Sequence, residues 1–208
     1  MLDTSSRRSE RKRVEILISA RNLFLKRGYA DTGMEVVARH AGVSTATLYA
    51  YFPSKAELFK VVILEAVRDI AAPVRASAQV SGDARTRLLA VTTAYGAFFT
   101  QPLTRAIFRL VTAERRRFDD VADQLLHSAR VDLGGVVVTV LLDLAQAGEL
   151  RVDKPSWAAG QLLGMIDHAT LVLGLLAGDE ARVRRPLEVV CEDAVTTFLA
   201  RYGARVAA

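Results

Sequence analysis

The chain has 208 residues, about half of them apolar, which is enough to bury a sizeable core and excludes global disorder. Its one cysteine, Cys191, excludes an intrachain disulfide framework and a cysteine-based metal site, and reads as a buried thiol that fits a reducing compartment. Residues 1–60 carry 11 Lys/Arg and 6 Asp/Glu whereas residues 61–208 carry 17 of each, so the formal excess of +5 lies wholly in the first part of the chain. That imbalance suggests one module for a polyanion and another for something else.

The first residues, MLDTSSRRSERKR, are charged, and the apolar stripe after them is interrupted by Glu15, Arg21 and Asn22. They do not read as a signal peptide. Helical periodicity runs through almost the whole chain, with no convincing strand. A helix is predicted over 10–27, ended by Gly28. Thr32 and Glu35 have capping-box spacing and open a short helix to about Ala41. Gly42 ends it, Ser44 caps the next, and Pro53 breaks that one after Tyr51. Ser54 and Glu57 form a second capping box for a helix to about Ala78. After a turn at 81–83, helices follow over about 84–99 and 103–113. The spacing from Phe118 through Val140 to Leu144 predicts one long helix over 118–147, kinked at Gly134 and Gly135 and capped by Gly148. Pro155 opens a helix to about Ala177, and the last runs over about 182–203. The stretch 160–178 approaches membrane-spanning length, but Asp167 and His168 at its middle make it a buried helix of a soluble protein, with no membrane partner expected. The expected fold is all-α, with about nine helices: a helix-turn-helix domain over 1–55, with a basic arm at 1–9, and a helical domain over 56–208.

The segment 32–55 carries the chemistry. Two short helices joined by a tight glycine turn in a basic region describe a DNA-binding helix-turn-helix. Ala38 is small where the helices touch, Val37, Ala41, Val43 and Leu48 fill the wedge, and Ala50 and Phe52 suit docking on the first long helix. Thr45, Ala46 and Thr47 are short residues at the tip of the second helix, which lets it enter a major groove. Threonine hydroxyls suit base edges or phosphates, and an alanine suits a thymine methyl. Tyr49 and Tyr51 suit phosphates. Lys55 in a first helical turn is unfavourable for the helix dipole, which points to an external anion. The tip has no Arg, Asn or Gln, so shape and water must carry much of the specificity. The arm RRSERKR (7–13) suits a minor groove or phosphates, and equally a solvated tail.

The stretch TGMEVVARHAGVSTATLYAYFPSKAELF, together with these spacings, resembles the signature of the TetR family of bacterial transcriptional regulators. The matching elements are Thr32, Val37-Ala38, Ala41 to Ser44, Thr47 to Tyr49, Tyr51-Phe52 and Ser54-Lys55. The resemblance implies operator DNA as partner. It implies phosphate contacts from Thr32, Tyr49, Tyr51 and Lys55, with Ser44, Thr45, Ala46 and Thr47 at the groove. Gly33 stands where the family more often has a hydroxyl. The resemblance also implies a homodimer built on the last two helices.

In the C-terminal part, Gly160, Gly164, Asp167, Leu171, Gly174 and Gly178 lie on one narrow helical face. Glycines there cost roughly 1 kcal/mol each unless something packs closely against them. That face, with Leu187, Val190, Cys191, Ala194, Val195, Phe198 and Tyr202 of the last helix, is the expected dimer interface, with close packing inside the monomer as the alternative. Candidate effector-pocket residues are Phe98, Phe99, Phe108, His127, Trp157, Gln161, Met165 and His168. No cofactor, metal site or catalytic constellation is expected, so the chain is not read as an enzyme. The leading expectation is a cytoplasmic, dimeric repressor released from DNA by a small, largely apolar ligand. The alternative is a DNA-bound architectural or protein-interaction factor of the same fold without an effector.

Overall fold

The computed structural model describes residues 4–177 and 185–204. Among them there is no strand, only an isolated bridge between Leu150 and Gly203. The helices are α1 (Thr4–Arg27), α2 (Met34–His40), α3 (Thr45–Tyr51), α4 (Lys55–Ile70), α5 (Ala72–Ser77), α6 (Ala84–Thr100), α7 (Pro102–Ala113), α8 (Asp119–Ser128), α9 (Gly135–Gln146), α10 (Pro155–Asp167), α11 (Leu173–Ala177) and α12 (Leu187–Tyr202). A π-helical turn, Ala129–Gly134, joins α8 to α9, and another, His168–Val172, joins α10 to α11. Counting α4–α5, α8–α9 and α10–α11 each as one rod gives the nine expected helices among the described residues.

Several expectations change at the helix ends. α1 is helical from Thr4 rather than from residue 10, so the basic segment continues the helix. The rod after Ser54 breaks at Ala71, because Pro73 in the first turn of α5 cannot donate to the preceding turn. The long helix over 118–147 is interrupted by the π turn Ala129–Gly134, which includes the first of the two expected kink glycines and ends at the second. Pro186 delays α12 to Leu187, and the expected start at 182 lies outside the described residues, as does Gly178. Gly28, Gly42 and Gly148 do end helices, each with positive φ. At Gly42 the Val43 amide donates to Ala38 O (3.0 Å) and the Gly42 amide to Arg39 O (3.3 Å), the two bonds of a Schellman cap.

The chain forms two compact units: Met1–Arg68 with Ala106–Ala122, and Asp69–Arg105 with Asp123–Ala208. The boundary expected at 55/56 falls at the start of α4, whereas the first unit keeps α4 as far as Arg68 and adds a segment from the middle of the chain.

The first unit is organised by four aromatic rings. Phe24 and Phe59 meet edge-on at 5.2 Å, Tyr29 lies 5.1 Å from Phe59, and Phe118 lies 4.8 Å from Tyr29 and 4.7 Å from Phe59. Such pairs add about 0.5–1.5 kcal/mol beyond area burial. Arg13 donates to Glu65 at 2.6 Å and ties α1 to α4, and Lys60 pairs with Asp120 at the start of α8.

In the second unit α6 packs against α5, α9, α10 and α12. Asp83 caps α6 by accepting from the Thr86 amide at 2.8 Å. Glu149, just past the Gly148 corner, accepts from the Ala84 amide at 2.6 Å. Gly174 is buried because Arg105 lies over it: a Cβ there would stand 2.8 Å from Arg105 Cδ. By length and composition, Asp119–Gln146 and Pro155–Leu176 would each suffice to cross a membrane. Here they supply core residues instead: Val137, Val140, Leu141 and Leu144 from one rod, and Ala158, Leu162 and Ile166 from the other. Inside this unit the Tyr95 hydroxyl donates to Asp167 Oδ1 at 2.8 Å. Burial raises the Asp167 pKa against the opposing hydrogen bond, and burial with the Asp167 charge pushes the Tyr95 phenol far up.

Phe118→Ala removes the ring that arrives from the distant segment. It is expected to cost about 3–5 kcal/mol in urea unfolding. A second expectation concerns pH. The folded pKa of Asp167 stands above its unfolded value, so the folded state binds the proton more tightly. Its contribution to stability therefore falls as pH rises from about 4, the ordinary carboxylate value, through the folded value. Asp167→Asn keeps an oxygen for Tyr95 and removes that loss. Its unfolding free energy, measured from pH 4 to 8, is expected to decline less with pH than that of the parent.

Candidate nucleic-acid interface

The helix-turn-helix is built as its residue types demand. Ala38, Val37, Ala41 and Leu48 are buried in the wedge, with Val43 half-buried, and Phe52 is buried beyond the end of α3. Ala50 is exposed and takes no part in docking α3. Ser44 stands in extended conformation and accepts from the Thr47 amide at 3.1 Å, while the Ser44 and Thr47 hydroxyls hydrogen-bond at 2.8 Å. Ser44, Thr45 and Ala46 are exposed, as is Tyr49. The tip is therefore short, polar and open, as a groove-entering helix must be.

Three of the expected phosphate ligands have hydrogen-bond partners inside the protein. Thr32 is fully buried, and its hydroxyl donates to Gly28 O at 2.8 Å. It secures the end of α1 and does not cap α2, whose cap residue is Gly33, exposed and without a side-chain bond. The expected capping box fails because α2 begins at Met34. The Tyr51 hydroxyl donates to Ser9 O at 3.1 Å and hydrogen-bonds the Ser9 hydroxyl at 2.8 Å. Lys55 Nζ donates to Ala30 O at 3.0 Å and stands 4.4 Å from the Tyr29 ring centroid. The Arg117 guanidinium lies over the same ring at 5.2 Å. Burial lowers the Lys55 pKa, and the charge of Arg117 lowers it further. Two cations thus share one aromatic platform, a pairing that sequence reasoning missed because 62 positions separate them. The only sign of it in the sequence is the run Arg115 to Arg117, which by itself reads as a solvated turn.

The residues singled out for an effector pocket are divided between the two units. Phe98 and Phe99 are buried, with ring centroids 4.8 Å apart. Phe108 is half-buried and belongs to the other unit, and His127 is exposed. Trp157, Gln161, Met165 and His168 all lie on the exposed face of α10 and the π turn, so they line no interior of their own unit. The expected dimer face divides in the same way. Gly160 and Gly164 are exposed with open space at their Cβ positions, whereas Gly174 is buried and Asp167 turns inward to Tyr95. Leu171 and Leu187 are half-buried. Cys191, Ala194, Val195 and Phe198 are buried within their own unit, where α12 meets α6. They are core, because the apolar stripe of α12 is satisfied inside the monomer. Among the described residues, no group of three or more His, Cys, Asp or Glu is placed to hold a metal.

An all-helical chain whose basic end forms an open helix-turn-helix is a DNA-binding regulator. A family model described as bacterial regulatory proteins, tetR family, matches residues 16–62, and one described as AefR-like transcriptional repressor, C-terminal domain, matches residues 86–204. The chain belongs to the TetR family of transcriptional regulators and is not an enzyme. It is similar to the transcriptional activator FasR of Mycolicibacterium smegmatis, at 37% identity over 86 residues, which span 41% of this chain but only 39% of that protein. It is also similar to the regulator UidR of Escherichia coli, at 25% identity over 87% of this chain and 88% of that one. Among solved structures, a putative TetR-family regulator from Mesorhizobium loti matches with a TM-score of 0.87 at 25% identity, covering 94% of this chain and 98% of that one. The flavonoid-responsive regulator FrrA matches with a TM-score of 0.76 at 28% identity, covering 95% and 100%.

Thr32→Val tests whether Thr32 is internal. Loss of its buried hydrogen bond is expected to destabilise the fold by about 1–3 kcal/mol. The salt dependence of DNA binding, followed by fluorescence anisotropy, is expected to stay unchanged. A phosphate ligand would flatten it.

Proposed function

We propose that this chain is a homodimeric, cytoplasmic repressor that a small, largely apolar effector releases from operator DNA. The observation that carries the dimer is the open face of α10 and its extension. Trp157 is 68% exposed and Leu176 81%, with Met165, Val172 and Leu173 exposed between them. Gly160 and Gly164 on the same face leave room for a helix to approach closely. A soluble domain rarely leaves such a patch bare, and a self-complementary contact across a two-fold axis would cover it. The interface proposed is thus this face, not the buried stripe of α12.

The repressor reading is supported by the description of the matched C-terminal model, and the effector by the flavonoid response named for FrrA. Asp167 gives the effector a route of action. It hydrogen-bonds Tyr95 on the inner side of the same rod whose outer side is the proposed interface. A ligand seated against Tyr95, Phe98 and Phe99 would displace that rod. It would favour whichever dimer geometry it binds more tightly, and so change the spacing of the two recognition helices. Half-sites one helical turn apart, about 34–36 Å, tolerate only one such spacing.

Sedimentation velocity and DNA selection test the reading together. The parent is expected to sediment as a dimer and to select a two-fold symmetric site, whereas Gly164→Arg is expected to sediment as a monomer and bind that site at least about tenfold more weakly. A panel of flavonoids and other small apolar compounds is then expected to contain one that raises the melting temperature and weakens operator binding. A symmetric operator with no such ligand in the panel would favour the effector-free factor.

A further inference from the structure

We infer that the basic N-terminal segment binds DNA phosphates as a rigid extension of α1, held beside the recognition helix by Tyr51. This rests on the DNA-binding reading and adds a contact surface to it. The segment is not a free arm: Ser6 to Arg13 are helical turns of α1. Ser9 meets Tyr51, the last residue of α3, through both its hydroxyl (2.8 Å) and its carbonyl (3.1 Å). One tyrosine hydroxyl thereby fixes the first turns of α1 against the end of the helix that carries the groove-facing tip.

The charges of the segment divide into two sets. Arg11 pairs with Glu15 at 3.1 Å, and Arg13 pairs with Glu65 at 2.6 Å and lies over the Phe52 ring at 6.0 Å. These are structural. Arg7, Arg8 and Lys12 have no ion-pair partner among the described residues, and Arg7 and Arg8 are exposed. At 100° per residue, Arg8 and Lys12 flank Ser9 on one side, and Glu10, the segment's one acid, lies on the other. Next to Ser9 and Tyr51 the helix therefore presents an uncompensated positive edge. The contact is made by side chains, not by the amide end of the helix. Its complement is a regular row of negative charges, and the sugar–phosphate backbone beside a groove occupied by α3 supplies one. A rigid helix cannot thread a minor groove as an extended arm does, so the contact adds affinity without sequence information.

Tyr51 is then a positioning residue and not itself a phosphate ligand. The test measures operator affinity, for the site recovered by selection, from 50 to 200 mM salt. Each phosphate contact contributes about 0.9 to the slope of log K against log salt. The double variant R8A/K12A is expected to lower the slope by about 1.8, so that affinity falls about 12-fold less than the parent's over that range. Its base preferences and melting temperature are expected to match the parent's. Y51F is expected to weaken binding in the parent, and to have no further effect in the R8A/K12A background, since it acts through the segment. An unchanged slope in R8A/K12A overturns the inference, as does an additive effect of Y51F, which would make Tyr51 a ligand in its own right. If the parent selects no sequence at all, the DNA-binding reading fails first, and the two failures are distinguished.

Discussion

The helix-turn-helix rests on the contact of Tyr29 with Phe59 and Phe118. Tyr29 sits in the corner between α1 and α2, Phe59 on α4, and Phe118 just ahead of α8. The three rings fill the space beneath a helix-turn-helix too small to have a core of its own. Their upper consequence is electrostatic. The face of Tyr29 is where Lys55 and Arg117 come to rest, and burial there costs Lys55 part of its proton affinity. A residue that the motif marks as a ligand is thus also part of the packing. The unit that meets DNA is completed by residues encoded some fifty positions after the motif ends.

The legible parts of the structure were those fixed by local rules. Helix existence follows from period 3.6, the corner at Gly42 from the freedom of glycine to take the positive φ found there, and the cap at Ser44 from its hydroxyl. The tip at Thr45 and Ala46 followed from side-chain size. Partner choice was not legible. Thr32 has the spacing of a cap for α2, yet its hydroxyl finds Gly28 O one turn back, because α2 starts later than the capping box requires. Sequence spacing shows which groups lie within reach of one another but not which competing acceptor is nearer. The same holds for Tyr51, whose partner Ser9 lies 42 positions away.

Amphipathic stripes carry a related ambiguity. The stripes of α10 and α12 have the same period, and each suits either an interface or close packing inside the monomer. In the structure, the α12 stripe is consumed by α6, while α10 buries Ala158, Leu162 and Ile166 and leaves Trp157, Met165 and both nearer glycines outside. Period alone identifies an apolar face; only the neighbours decide whether that face is core or surface. Trp157 was the available clue, since a large aromatic beside glycines on a helix is more useful to a second helix than to a closed core.

The recognition helix and its surroundings share one economy of charge. α3 offers threonines, alanines and tyrosines but no long cation, so it cannot grip the polyanion it enters. Cations stand on elements to either side of it: on α1, tied to α3 by Ser9 and Tyr51, and at the Lys55–Arg117 pair over Tyr29. In each case a tyrosine is the intermediate, with an apolar body in the packing and a polar or π surface toward charge. Such an arrangement separates the two tasks of an operator-binding protein. Under the proposed reading, the flanking charges would supply salt-dependent affinity, and the small tip would discriminate through methyl groups and groove shape. A tip without bidentate donors is weak at direct readout of guanine or adenine. On the same reading, its selectivity would depend on how accurately the flanking helices hold it in register, and the contacts at Tyr29 and Tyr51 are the ones that fix those helices.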